Sequence, residues 1–409
     1  MQQSIHQSRE QRVTTTQALP RPRSMSERRI HTLQKSGTAA KRKLSQNAPT
    51  TTYYGILIIV TFLTLLGIVM VLSSSAVTSF QVGNSPWSLF RRQLLWAVFG
   101  SIAMAFTYRT PYNDYRKFVK WLLGAAFLLN LLPFAPRIGK EVNGARAWVN
   151  AGDFSFQPSE LSKIVVVLFC ADLISRRHRY LNVFEKTLMP CLVVMLVGAG
   201  LSGLQSDFGS ALVFVGIVLM ICFFAGMPRK WVGIITVVTF IGGLLIFATQ
   251  EVARNRLTAF LNPSETKGRL GYQVHQSLLG IANGGTTGAG IGQGSTKWGY
   301  LPLAHSDFIF TVVAEELGAI GSVTVIGLFM FLVILGMRVA LGAREMFGSL
   351  LAAGIAGWFA FQSIINIGGA TGSLPLTGLT LPFMSSGGSS LMVSMAAAGV
   401  LLNVARNMK

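Results

Sequence analysis

From Gly55 onward the chain is written in apolar blocks of roughly 17 to 25 residues, the length an α-helix needs to cross a hydrocarbon core about 30 Å thick. Each block can therefore be a helix. Only 12% of the 409 residues are charged and 51% are hydrophobic, against about 25% charged in a soluble domain. Lipid is the expected solvent, and the expected fold class is an all-α polytopic membrane protein.

The blocks predict ten transmembrane helices near 55–76, 93–108, 117–134, 160–175, 187–204, 209–226, 231–249, 308–337, 349–369 and 389–405. An even number returns both termini to one side. Lys and Arg are more than twice as frequent in the segments this arrangement leaves cytoplasmic as in the external loops, the asymmetry of the positive-inside rule. Residues 1–52 read as a disordered basic cytoplasmic tail, too poor in large apolar residues to form a core, and 53–409 as the membrane domain. Every cytoplasmic connection is short. The long connections, near 135–159 and 250–307, are external, and chemistry is expected there.

Several function classes drop out. Ten of the 35 Lys and Arg lie before Tyr53, and most others sit in short loops, so the net charge of +20 orients helices; no nucleic-acid-binding module accompanies it. Cys170, Cys191 and Cys222 fall inside apolar blocks, with neither metal-ligand nor disulfide spacing. The first apolar block begins too far into the chain for an ordinary secretory signal. GAGIGQGSTK at 288–297 fails both nucleotide signatures, since no Lys follows its second glycine directly and no strand precedes it. No nucleotide cofactor is expected, and its glycines read as tight turns at the membrane surface.

The most informative segment is LPLAHSDFIFTVVAEELG, 301–318, where His305 and Asp307 stand just before a long apolar span. A carboxylate at that mouth is partly desolvated, which raises its pKa toward the range of a general base; it can also be an ordinary helix N-terminal acid. Glu315 and Glu316 lie deeper, where each charge costs roughly 2.5 to 3.5 kcal/mol, and must face protein or a wet cavity. Pro158 and Ser159 open a helix that sets Glu160 and Lys163 three apart, either a self-neutralising pair or a Lys offered to a phosphate. The external loops add Arg146, Trp148, Arg254, Arg256, Lys267, Arg269 and Lys297 among few acids. External cations oppose the topology rule, so they point to an anionic ligand or to lipid headgroups.

RRQLLW, NGARAWV, FQPSELSK, QSDFGSALV, GYQVHQSLLGIANGG, AHSDFIF and TGLTLPFMSSGGSSL resemble, in order and in loop placement, the motifs of the SEDS family (shape, elongation, division and sporulation). These are polytopic peptidoglycan glycosyltransferases, and the resemblance runs from Tyr54 to Arg406. GLTLP, GGSS and the basic tail look more like the division member than the elongation member. The resemblance implies that Asp307 is the base that helps an acceptor sugar hydroxyl of lipid II attack the donor's anomeric carbon and expel undecaprenyl pyrophosphate, with inversion to a β-1,4 link. It implies Arg92, Arg146, Glu160, Lys163, Gln276, Lys297 and His305 as substrate-binding residues, and a divalent cation, Mg²⁺ or Mn²⁺, as cofactor, with Asp307 as a ligand. Expected partners are lipid II, a class B penicillin-binding transpeptidase and other membrane proteins of the division machinery, at the septum of a bacterial plasma membrane. Competing readings are a lipid II flippase, with Glu315, Glu316 and Asp207 as a polar path, and a non-catalytic scaffold. Ser206 and Ser386 depart from the family pattern where Pro and an aromatic residue are usual, and Ala147 where a second Arg is frequent.

Overall fold

A computed structural model describes residues 50–81, 83, 85–142, 144–151, 154–262 and 269–408. The expected disorder of the tail falls outside these residues up to position 49, as does Lys267. Helix α1, Thr51–Gln81, starts within the segment assigned to the tail because Thr50 caps it, its hydroxyl accepting from the Tyr53 N–H at 3.3 Å. Further helices are α2 Ser88–Arg109, α3 Tyr112–Leu129, α4 Pro158–Arg176, α5 Met189–Leu204, α6 Phe208–Phe224, α7 Arg229–Thr249, α8 Glu251–Leu261, α9 Arg269–Gly284, α10 Ile309–Gly342, α11 Met346–Ala370 and α12 Gly388–Arg406.

Among the described residues seven helices are long and apolar enough to span a membrane. Three more occupy expected spans: α6 is apolar but short, while α2 and α4 carry several charged residues. In α11 and α12, 78% and 83% of the apolar window is buried inside the protein, against 6% in α7. The first two therefore form the middle of the bundle and α7 lies on its rim. Close approach depends on small residues. A Cβ on Gly399 of α12 would fall 2.1 Å from the Thr107 hydroxyl of α2.

The long connections are structured rather than loops. Within 135–159 lies an antiparallel sheet of β1 Gly139–Val142, β2 Ala145–Ala151 and β3 Phe154–Phe156 in the order β1-β2-β3, with Gly139 opposite Val149 and Val149 opposite Phe156. β1 and β3, of four and three residues, are too short to show a period in the sequence, and β2, ARAWVNA, does not alternate strictly. The 250–307 connection holds α8 and α9. α10 is not one span, because Gly318 at φ 69° interrupts it.

Candidate functional site

A cavity of about 300 Å³ opens between the N-terminal part of α2, the sheet, the N-termini of α4 and α6, α8, and the turns before α10 and α12. Two chain segments distant in sequence are stitched together to form its wall. Asn366 of α11 donates to the carbonyls of Asp307 and Leu379 at 2.9 and 2.6 Å. The Ser385 hydroxyl donates to the Ser306 carbonyl at 2.6 Å, and the Ser386 N–H to the His305 carbonyl at 2.9 Å. These bonds hold 305–307 against the GLTLPFMSSGG segment, with the Asp307 side chain facing the cavity.

Burial pushes the Asp307 carboxyl up to about 6, against the opposing pull of the Ser306 side chain and Arg256, with Asp207 adding to the rise. The residue stays partly accessible through the cavity, so a ligand there can reach it. Burial lowers the pKa of His305, so its imidazole is neutral at neutral pH, a hydrogen-bonding group rather than a cation.

Arg256 lines the same cavity. Its Nη1 donates to the Thr377 carbonyl at 2.7 Å and its guanidinium lies 5.6 Å over the Phe208 ring. Gly378, at φ 77°, runs beside both groups: a Cβ there would stand 3.7 Å from Asp307 Oδ2 and 3.9 Å from Arg256 Nη2. Asp207 caps α6, accepting from Ser210 N–H at 3.1 Å, Gln157 Nε2 at 2.8 Å and the Ser159 hydroxyl at 3.1 Å.

Of the residues singled out from the sequence, Asp307, His305, Arg92 and Glu160 meet at the cavity, and Arg146, Lys163, Gln276 and Lys297 do not line it. Arg92 donates to the Ser155 hydroxyl at 3.1 Å. Arg146 does not line the cavity although its neighbours Ala145, Ala147 and Trp148 do; it pairs with Glu141 at 3.0 Å. Lys163 lies behind Glu160, fully buried, donating to Glu160 Oε1 at 2.8 Å and Gln362 Oε1 at 3.1 Å; Glu160, not Lys163, reaches the cavity wall. Gln276 is half-buried on α9. Lys297 is buried and turns back on its own loop to the Gly292 carbonyl. Arg256 and Lys140 replace these cations. Arg256 stood in the sequence as one of several loop cations, and only its proximity to Asp307 distinguishes it.

Ser206, the departure from the family's Pro, ends α5 in a Schellman turn: Asp207 N–H donates to the Ser202 carbonyl and Ser206 N–H to that of Gly203, both at 2.9 Å. Ser206 is left at φ 59°, which proline cannot adopt. Ser206→Gly is expected to stabilise the protein by about 1 kcal/mol, read as a higher midpoint of thermal unfolding in detergent; a lower midpoint would contradict the strain.

The model of the FtsW/RodA/SpoVE cell cycle protein family matches residues 54–409. A probable peptidoglycan glycosyltransferase FtsW of Geobacter metallireducens is 38% identical over 87% of this chain and 94% of its own length. Stage V sporulation protein E of Bacillus subtilis is 39% identical over 86% and 96%. Among solved structures, a chain from work on "structural coordination of polymerization and crosslinking by a peptidoglycan synthase complex" is similar at a TM-score of 0.72 and 30% identity, covering 88% of this chain and 98% of that one. The rod shape determining protein RodA of Thermus thermophilus gives 0.64 and 29% over the same shares. On these matches, and with seven helices among the described residues long and apolar enough to span a membrane, the chain is a multi-pass membrane protein that belongs to the FtsW/RodA/SpoVE family, the SEDS proteins.

Proposed function

We propose that this chain is a peptidoglycan glycosyltransferase that polymerises lipid II into β-1,4 glycan strands during septal wall synthesis. The observation that carries the reading is Asp307, a carboxylate of raised basicity on the wall of a cavity where Arg92, Lys140 and Arg256 also converge. A sugar hydroxyl is a poor nucleophile until its proton leaves, and a base with pKa near the working pH removes it best. As the proton passes to Asp307, the hydroxyl oxygen bonds to the anomeric carbon from the face opposite the lipid diphosphate. The bond to undecaprenyl pyrophosphate breaks and the configuration inverts. Arginine forks suit the charge gathering on that leaving group, and neutral His305 is placed to hydrogen-bond a sugar or phosphate.

Among the described residues no group of three or more His, Cys, Asp or Glu comes together for a metal. A hard cation such as Mg²⁺ or Mn²⁺ would be held by the Asp307 carboxylate, which would then serve as its ligand rather than as the proton acceptor. It would supply charge neutralisation to the leaving group. Lysine and arginine asymmetry supports cytoplasmic termini and an external cavity. The similar chain from a synthase that couples polymerisation to crosslinking supports a class B penicillin-binding transpeptidase as partner.

Against a flippase stands the hydrogen bonding of two of the three acids on its would-be path: Glu315 is saturated by Ser295 and Thr296, and Asp207 is spent on its cap and on Gln157 and Ser159. The deciding experiment gives labelled lipid II to the purified protein with its transpeptidase, comparing wild type with Asp307→Ala. Strands from wild type alone are expected. Transport of labelled lipid across liposomes without strands would overturn the reading.

Arg256→Gln is expected to raise KM for lipid II about tenfold, the size of one lost charge-assisted contact. It should also move the acid limb of the pH–rate profile to higher pH, because a positive charge that lowers the Asp307 pKa is gone. Steady-state rates from pH 5 to 8 check both; an unchanged KM with an acid-shifted limb would remove Arg256 from the site.

A further inference from the structure

α10 is two helices joined end to end. Gly318 takes φ 69° and ψ −164°, a region open to glycine and costly for any other residue, and the helical ladder stops and restarts there. The first piece, 309–317, is about two and a half turns long and begins two residues after Asp307. A helix this short does not hold itself in place. Its last carbonyls need outside partners.

The segment between α9 and α10 supplies them. Ala289 and Gly290 donate their N–H groups to the carbonyls of Glu315 and Glu316 at 2.9 and 3.0 Å, and beyond the break Ala319 and Ile320 donate to the carbonyls of Gly285 and Thr286 at 2.9 and 3.2 Å. The approach is close enough that a Cβ on Gly288 would fall 2.2 Å from the Glu316 carbonyl oxygen. The glycines expected to make surface turns therefore serve an inserted segment that mends a broken helix.

One side chain locks this joint. Glu315, 1% exposed, accepts on Oε1 from the Ser295 N–H at 2.7 Å and hydroxyl at 2.6 Å, and on Oε2 from the Thr296 N–H at 3.2 Å and hydroxyl at 2.5 Å. All four donors belong to two consecutive residues of one loop. Glu316 differs: one oxygen accepts from Ser73 of α1 at 2.6 Å and the other is buried with no partner among the described residues. The rest of the unit is tied in by Ser277 of α9, which meets the Thr311 hydroxyl at 2.5 Å and donates to the Ala370 carbonyl at 2.6 Å.

We propose that Glu315 is a positioning residue, the latch that binds the 285–298 loop to α10 and, through the short helix 309–317, fixes the position of Asp307 together with the Asn366, Ser385 and Ser386 bonds at 305–307. The consequence for rate rests on the glycosyltransferase reading above; the consequence for the loop does not. Glu315 lies at the far end of a rigid rod from the reacting atoms, so releasing it displaces the base without removing a contact to substrate. Small displacements of a catalytic group lower turnover, while binding contacts made elsewhere are kept.

The test uses the full-length protein with its transpeptidase and compares wild type, Glu315→Gln, Thr296→Val and Thr296→Ser. Glu315→Gln turns an amide donor toward donors, and Thr296→Val deletes one hydroxyl at constant shape. For both, kcat is expected to fall about tenfold or more with KM within about twofold, and amide exchange to accelerate in 295–298 and 305–311 but not in α12. Thr296→Ser, which keeps the hydroxyl, should match wild type in both readouts. Faster exchange with wild-type kcat, or lost kcat with wild-type exchange at 295–298, would overturn the latch. A wild type that makes no strands would overturn the function reading instead, and exchange at 305–311 would still decide whether Glu315 holds the segment that carries Asp307. Should Glu315→Gln fail to fold, the two Thr296 variants carry the test.

Discussion

Asp307→Asn is expected to cut glycan strand formation roughly 100- to 10,000-fold, the usual worth of a general base, with the protein still folded and still bound to membranes. The substitution keeps the size of the side chain and removes its capacity to take a proton. Little strain should follow, because the bond that anchors this residue to α11 is made by its main-chain carbonyl, which accepts from Asn366 at 2.9 Å and survives the change. The wild-type enzyme should show the same chemistry in its pH dependence. Burial pushes the Asp307 carboxyl up to about 6, so the proton-accepting form is lost as pH falls through that value, whereas an ordinary aspartate would stay ionised until about 4. The rate should therefore be near its plateau at pH 7.5 and fall by about half near pH 6. Initial rates of polymerisation across this range, with a binding assay to confirm that lipid II remains bound, measure it. Wild-type activity in Asp307→Asn would leave the base unassigned and the mechanism without its proton acceptor.

Lys163→Met is expected to destabilise the protein by about 3 to 5 kcal/mol, the cost of leaving one partner of a buried ion pair alone. The Lys163 and Glu160 side chains are 0% and 2% exposed and 2.8 Å apart. Lys163 also donates to Gln362, which in turn accepts from Trp358 Nε1 at 2.6 Å and donates to the Thr380 carbonyl at 2.9 Å. The pair thus anchors α4 to α11 and to the segment before α12. Glu160 Oε2 already lacks a partner among the described residues, so loss of Lys163 would remove the one cation bonded to this carboxylate there. The double variant Glu160→Gln/Lys163→Met should recover most of the stability, because no uncompensated charge remains. Unfolding midpoints in detergent compare the three proteins. A single variant as stable as wild type would mean that the charge is compensated elsewhere.

This pair also shows how a correct sequence pattern can point the wrong way round. Three-residue spacing on a helix guarantees that Glu160 and Lys163 can meet, and they do. It does not say which of them faces the cavity, since that depends on how α4 is rotated against α11. The same limit applies to the cations. Arg146 is visible as a basic residue beside Trp148, but the strand that carries it, ARAWVNA, does not alternate strictly enough to announce which face is inward. Arg256 was one loop arginine among several until the fold brought it to Asp307.

Local chain chemistry was legible directly: block length and apolarity set the helices and their number, the distribution of Lys and Arg set the expected orientation, and a carboxylate directly before an apolar block marked Asp307. Packing between distant segments supplied the rest. It folded the long connections into a small sheet and two helices, broke α10 at Gly318, moved Lys163 and Lys297 away from the cavity and brought in Arg256 and Lys140. The physical reason is that helix formation and membrane partition are largely additive along the chain, whereas a site is a coincidence in space, fixed by rotations and crossings that no single segment encodes.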